Sequence, residues 1–193
     1  MDILFQFDQV TYIVFYVITI LWIGEFWVFP SQYKGKDRNE TKTFLKILGV
    51  ILFSHTVTIL LTVFGLFRLE DSNQWMMMLS MVTYPLGVLL RYVSIMYLGK
   101  HFTRDVEVSK TQELVSKGPY RLLRHPLYLG LFLLTISVPL FFQNWLMIII
   151  SSISIFLILN QRMQIEEKLM TDVIGDDYTK WKQKRYRFIP WIY

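Results

Sequence analysis

The sequence predicts an all-α integral membrane protein of about five transmembrane helices. Three observations carry that prediction. The 193-residue chain is 53% hydrophobic and only 18% charged, too apolar for the surface of a soluble domain of this size. Its apolar residues gather in runs that approach or exceed the roughly 20 residues needed to cross a bilayer core. Its basic residues alternate with those runs: 18 of 20 Lys and Arg fall in the first loop, the third loop and the C-terminal tail.

The first three spans are expected over residues 10–29, 44–67 and 75–99. The stretch 127–160 is too long for one span. Pro139 and the pair Gln143-Asn144 are expected to break it into a helical hairpin, 126–142 and 145–160, with two short arms. The first loop holds Lys34, Lys36, Arg38, Lys42 and Lys46, and the third holds Lys100, Arg104, Lys110, Lys117, Arg121 and Arg124. The tail holds Arg162, Lys168, Lys180, Lys182, Lys184, Arg185 and Arg187, whereas the poor segments hold only Arg68. Five spans put the rich segments on one side, which the positive-inside rule makes cytoplasmic, with the N-terminus out and the C-terminus in. In the tail, Met163, Ile165, Leu169, Met170, Val173 and Ile174 keep close to helical spacing with charges opposite. The fifth helix is therefore expected to continue into the cytoplasmic interface, to end at Gly175 and to give way to a short helix at Asp176-Asp177-Tyr178. The final RFIPWIY suits the headgroup region. A weak alternation of Val106, Val108 and Val115 receives no assignment. Residues 1–74 read as a two-helix membrane segment and 75–193 as the core that holds the chemistry.

The absence of cysteine excludes disulfides, thiolate metal sites and cysteine nucleophiles. His55, His101 and His125 lie far apart with no paired ligand spacing, so no metal site is expected. Asp2 and Asp8, with no Lys or Arg beside them, argue against a secretory signal, and the first run is expected to be a retained helix. The net charge of +5 does not point to nucleic acid, because the charges sit between apolar runs.

Chemistry concentrates in GPYRLLRHPLYLG, residues 118–130. Pro126 fits the first turn of the fourth helix, whose unpaired N–H groups attract anions, and Arg124 and His125 add positive charge. Gly118-Pro119 forces a turn, Tyr120 and Tyr128 offer flat faces, and Gly130 permits a close approach to the helix. A basic interfacial anchor is the plainer alternative. A second cluster, RMQIEEKL at 162–169, sets Arg162 and Glu166 on one helix face with Glu167 beside them. A solvated salt bridge there is the alternative. Arg91 lies inside the third span and requires a polar cavity, a partner helix or a snorkelling route to the surface. Glu25 reads as structural at the cytoplasmic interface, and His55 as a helix–helix hydrogen bonder. The hairpin brings the cationic loop and the carboxylate pair together. Positive charge, negative charge and aromatic faces at one cytoplasmic site match S-adenosylmethionine.

These residues resemble the isoprenylcysteine carboxyl methyltransferase family. The resemblance runs from Arg91 through Leu98-Gly99, Phe102, Leu114-Val115, Gly118-Pro119-Tyr120-Arg121, Arg124-His125-Pro126, Tyr128 and Gly130. It continues in Arg162, Glu166-Glu167, Gly175, Asp177-Tyr178, Trp181, Lys184 and Phe188-Ile189-Pro190. The chain departs from the family at Gln164, Leu122-Leu123 and Tyr186. The first two spans carry no recognised motif.

The resemblance implies a membrane methyltransferase that binds S-adenosylmethionine at the cytoplasmic face and takes a lipophilic acceptor sideways from the bilayer. It implies that Leu114, Val115, Gly118, Pro119, Tyr120, His125, Pro126, Tyr128, Gly130 and Glu166 form the cofactor site. Arg124, Arg162 and Glu167 would lie near the acceptor. A carboxylate acceptor needs no base, whereas a phenol or enol would call on Glu167. The chain's size suggests a minimal form in a prokaryotic cell membrane, methylating an oxygen of a small lipid. Prenylcysteine carboxyl or phospholipid amine methylation is the alternative. A nicotinamide-dependent sterol-type reductase and a non-catalytic scaffold complete the set.

Overall fold

The computed structural model describes residues 9–29, 38–67, 74–99, 102 and 114–190. Expectations for Asp2, Asp8, Lys34, Lys36, Arg68, Lys100, His101, Arg104, Val106, Val108, Lys110 and the final Trp191-Ile192-Tyr193 lie outside the described residues, as do the side chains of Arg38 and Lys42. The described residues form α1 (Gln9–Val28), α2 (Arg38–Val63), α3 (Gln74–Leu98), a 3-10 turn (Gly118–Arg121), α4 (Pro126–Phe141), α5 (Trp145–Ile174) and α6 (Asp176–Lys182).

Four helices, α1, α2, α3 and α5, are long and apolar enough to cross a membrane. The chain is an integral membrane protein. The apolar helix α4 has 16 residues, about 24 Å at 1.5 Å per residue and short of a bilayer core. It stands among the other helices with Leu134, Thr135, Ser137, Val138, Leu140 and Phe141 buried. The other arm of the hairpin is not short: α5 runs unbroken for 30 residues, so its last turns project beyond a bilayer core of about 30 Å.

The hairpin breaks at Gln143-Asn144, as expected, but not at Pro139, which lies inside α4. Gln143 takes a left-handed φ of 55°. Asn144 caps α5 by accepting from the Met147 N–H at 3.1 Å, and its amide donates to the Leu66 carbonyl at 3.0 Å, tying the turn to the end of α2. A proline at 139 cannot donate to the carbonyl of Thr135 one turn earlier. That carbonyl faces His55 on α2. His55 thus stands where helices meet, with its ring 5.8 Å from that of Trp22 on α1.

Two apolar clusters hold the bundle. Phe15 and Ile18 of α1 pack with Tyr84 and Val88 of α3 and Leu134, Val138 and Phe141 of α4. Ile47 and Ile51 of α2 pack with Ile155, Leu159 and Met163 of α5 and with Phe188 of the C-terminal segment. The tightest crossing joins α3 to α4. A Cβ at Gly87 would lie 3.0 Å from the Gly130 carbonyl, and one at Gly130 would lie 2.7 Å from Arg91 Cγ. Small residues at such a crossing let two membrane helices approach closely. Ser80 Oγ donates to the Ser137 carbonyl at 2.7 Å along the same seam.

Candidate active site

The fold gathers the charged residues at one end of the bundle, where α1, α3 and α5 finish and α4 begins. Gly118 is required at the entrance to the 3-10 turn. Its φ is +56°, and a Cβ there would fall 2.3 Å from the Tyr97 ring. The turn delivers Tyr120 to a buried position, and the chain then pairs with the C-terminal segment. The Arg124 N–H donates to the Tyr186 carbonyl at 2.8 Å, and the Tyr186 N–H to the Leu122 carbonyl at 3.0 Å. Pro126 opens α4 at its first turn. The anions beside that helix start are the chain's own, Glu166 and Glu167, carried there by the extension of α5.

Glu167 is a hub. Its Oε1 accepts from Arg124 Nη1 at 3.0 Å and Arg187 Nε at 3.2 Å, and lies 3.0 Å from His125 Nε2. Arg124 Nε also donates to the Arg185 carbonyl at 3.1 Å, and Arg187 Nη1 to Asn160 Oδ1 at 3.1 Å. Charge-assisted bonds of this kind hold Glu167 ionised and rigid. Glu166 has a different setting. Its Oε2 accepts from the Tyr128 hydroxyl at 2.7 Å, and that hydroxyl accepts from Arg162 Nε at 2.9 Å. Arg162 is buried, with its guanidinium 6.0 Å from the centre of the Tyr128 ring.

A continuous cavity of about 370 Å³ opens from this cluster. At its charged end stand Tyr120, Arg124, His125, Tyr128, Arg162 and Glu166, with Met170, Tyr178 and Trp181 from α5 and α6. Leu98, Phe102, Leu114 and Val115 form its apolar side there. Burial, with Glu167 and Glu166 nearby, pushes the Tyr178 phenol above its ordinary value, and burial raises Tyr120 likewise. Both stay protonated donors at neutral pH. Trp181 is fixed from several sides: its Nε1 donates to Ser116 Oγ at 2.9 Å, Tyr178 stacks on it, and the Arg185 guanidinium lies 4.3 Å from its centre.

The other end of the cavity is apolar. Thr19, Trp22, Ile23 and Phe26 of α1 face Phe44, Ile47, Leu48, Ile51, Leu52 and His55 of α2 across it. The helix α1 packs on α3, and α2 on α5 and α4; the Trp22 and His55 rings meet at 5.8 Å between α1 and α2, and the cavity runs beside them. Ile23, Phe26 and Leu52 are exposed as well as lining, which sets the opening on the lipid-facing side. Arg91 and Leu127 line the junction of the two ends. Arg91 does not snorkel. It pairs through Nε and Nη2 with Glu25, which is fully buried.

The residues singled out in the sequence therefore divide. Leu114, Val115, Tyr120, Arg124, His125, Tyr128, Arg162 and Glu166 share the cavity wall. Gly118, Pro119, Pro126, Gly130 and Glu167 do not line it. They set the turn, the helix start, the α3–α4 crossing and the cation hub. What approaches Gly130 is Arg91 of α3. Tyr178 and Trp181, matched in the family resemblance but given no role, are wall residues. The α1 and α2 lining had no signal beyond hydrophobicity, and Glu25 could have been found as the nearest acid of a first span able to meet Arg91.

The profile of the isoprenylcysteine carboxyl methyltransferase family matches residues 76–172, half of the chain. Protein-S-isoprenylcysteine O-methyltransferase of Tribolium castaneum is 28% identical over 120 residues, 61% of this chain and 43% of that protein. A probable protein-S-isoprenylcysteine O-methyltransferase of Oryza sativa subsp. indica is 23% identical over 177 residues, covering 90% of this chain and 92% of that one. The chain thus spans less than half of the beetle relative and nearly all of the rice relative. The solved eukaryotic intramembrane Ras methyltransferase, an isoprenylcysteine carboxyl methyltransferase, superposes with a TM-score of 0.62 at 22% identity, over 92% of this chain and 63% of that one. It shares the fold. With the profile spanning α3 to the carboxylates of α5, the chain belongs to the isoprenylcysteine carboxyl methyltransferase family.

Proposed function

We propose that the protein methylates a carboxylate oxygen of a lipophilic acceptor with S-adenosylmethionine, at the cytoplasmic face of the membrane. One observation carries this reading: a single cavity joins a charged, aromatic end to an apolar end that opens between two lipid-facing helices. The charged end suits the cofactor. Glu166 offers a carboxylate to an ammonium, Arg124 and His125 offer donors to a carboxylate, and Tyr120, Tyr178 and Trp181 offer faces to a base. Leu114, Val115 and Phe102 exclude water beside them. When bound, S-adenosylmethionine would supply an electrophilic methyl group on a sulfonium. The apolar channel would hold the acceptor's tail and align its head, and alignment of this kind contributes up to about 7–11 kcal/mol of a barrier.

The acceptor chemistry follows from what the carboxylates are doing. Arg124, Arg187 and His125 engage Glu167 and a phenol engages Glu166, so neither stands ready to deprotonate a phenol, an enol or an amine. A carboxylate acceptor is ionised at neutral pH and needs no base. Arg91, Arg124 and Arg162 on the wall favour an anionic head and oppose a protonated amine. The names of the relatives, O-methyltransferases of isoprenylcysteine, support the same choice and make a prenylated cysteine the first acceptor to test.

Calorimetric titration of the detergent-purified protein with S-adenosylhomocysteine tests the reading. Micromolar binding is expected, and its loss in the His125→Ala, Glu167→Ala double variant. A folded wild type that ignores S-adenosylhomocysteine but binds a nicotinamide dinucleotide would replace this reading with the reductase one.

A further inference from the structure

Glu25 is the most deeply buried acid among the described residues, and neither the cofactor site nor the family profile includes it. It sits near the end of α1, a helix whose sequence carries no motif. Its carboxylate takes Arg91 side-on: Oε2 accepts from Nε at 2.5 Å, and Oε1 accepts from Nη2. A guanidinium has five N–H donors in a rigid plane. Glu25 uses two. The Leu127 carbonyl, at 3.4 Å from Nη1, uses a third at the limit of hydrogen bonding. Among the described residues no other partner takes the remaining N–H groups of Nη1 and Nη2, and the end-on edge between those two nitrogens is a fork that grips a carboxylate bidentately. Arg91 lines the cavity where its charged and apolar ends meet.

On the methyltransferase reading above, we infer that Glu25 is a positioning residue. It locks the Arg91 plane so that the end-on fork faces the acceptor's carboxylate, and it neutralises the guanidinium in the membrane interior until that carboxylate arrives. The pair also explains why α1 belongs to the site. The same end of α1 is held to α3 by the Tyr92 hydroxyl donating to the Leu21 carbonyl at 2.7 Å and by the Phe29–Tyr92 ring contact at 5.5 Å. Those contacts do not involve Glu25, so α1 has other anchors when the carboxylate is changed. A purely structural ion pair would need the two charges and nothing else. A positioning pair needs the cation on α3 and the anion on α1.

The experiment compares N-acetyl-S-farnesylcysteine with its methyl ester, using full-length detergent-purified protein and tryptophan fluorescence to report binding. Wild type should bind the free acid at least about tenfold more tightly than the ester, as expected for a buried bidentate contact. Glu25→Gln should abolish that preference and raise the acceptor KM by about a hundredfold, the size expected of a small misplacement. S-adenosylhomocysteine affinity should stay within about twofold, since Glu25 does not touch the cofactor end. Glu25→Asp should recover part of the preference. The exchange Glu25→Arg with Arg91→Glu covers the case in which Glu25→Gln fails to fold. It should recover thermal stability without the acid preference. An exchange that restores both, or a Glu25→Gln protein with wild-type preference and KM, would overturn the inference. Wild type that fails to bind S-adenosylhomocysteine would instead remove the methyltransferase reading itself.

Discussion

The cavity has two walls written in different grammars. The wall made by the start of α4 and the end of α5 is assembled from charged and aromatic residues at fixed spacings, with Glu166, Tyr128 and Arg162 linked in one hydrogen-bonded chain. The wall made by α1 and α2 is apolar apart from Thr19 and His55. The first wall must place donors and acceptors within tenths of an ångström, so few residue types will serve. The lining of the second, with Glu25 standing behind it, must only stay apolar and leave a gap of the right width, which many sequences can do. The family profile reflects that difference, beginning at residue 76 and leaving α1 and α2 out.

The largest effect should come from the exacting wall. Arg162→Lys keeps the charge but cannot deliver a planar N–H to the Tyr128 hydroxyl, now 2.9 Å from Arg162 Nε. In the proposed reaction, kcat/KM should fall by about 10²–10³, the usual cost of one lost preorganised donor. A steady-state assay with S-farnesylcysteine acceptors measures it. A drop of less than threefold would show that the hydrogen-bonded chain is scaffolding only.

Crossing geometry should matter next. Gly130→Ala puts a methyl group against Arg91 Cγ and the Gly87 carbonyl, whereas Gly49 on α2 has nothing within 4 Å of the same position. Overpacking at Gly130 should cost about 1–3 kcal/mol and lower the melting temperature in detergent. Gly49→Ala should be neutral or stabilise by up to about 1 kcal/mol. Equal melting temperatures for the two variants would show that the α3–α4 seam can relax.

Most of the exacting wall was legible in the sequence because its chemistry depends on residue type. The spacing of Arg162 to Glu166 places both on one face of a helix, and the start of α4 at Pro126 and the end of α5 at Gly175 follow from backbone preference. Three things were not legible. Pro139 reads as a helix breaker by its missing N–H, but α4 runs through it, and the Thr135 carbonyl it leaves faces His55 of α2, which no local rule foresees. Glu167 reads as the candidate base for a phenol or enol acceptor, and the three side chains from other segments that engage it could not be foreseen. Gly130 reads as an approach point for a ligand, but the approaching group is the neighbouring helix. In each case the partner comes from another part of the chain, and tertiary partners leave no periodic trace.

The permissive wall can be sharpened by narrowing it. Leu48 lines the apolar channel one turn before Leu52 at the exposed mouth and is half-buried, so a larger side chain there has room to turn inward. Leu48→Trp should leave S-adenosylhomocysteine affinity unchanged, because the charged end lies across the junction at Arg91. It should raise KM for a long prenyl acceptor by about tenfold, the scale on which a hydrophobic pocket discriminates a small change in bulk, while a short-chain acceptor should be nearly unaffected. Competition between the two acceptors in one assay reports the ratio without dependence on enzyme concentration. A wall that needs only width predicts that Leu48→Phe gives the same trend at reduced size and that Leu48→Ala shifts preference toward longer chains. An equal loss for short and long acceptors would mean that the α2 wall, like the one opposite, makes a specific contact near the reacting head.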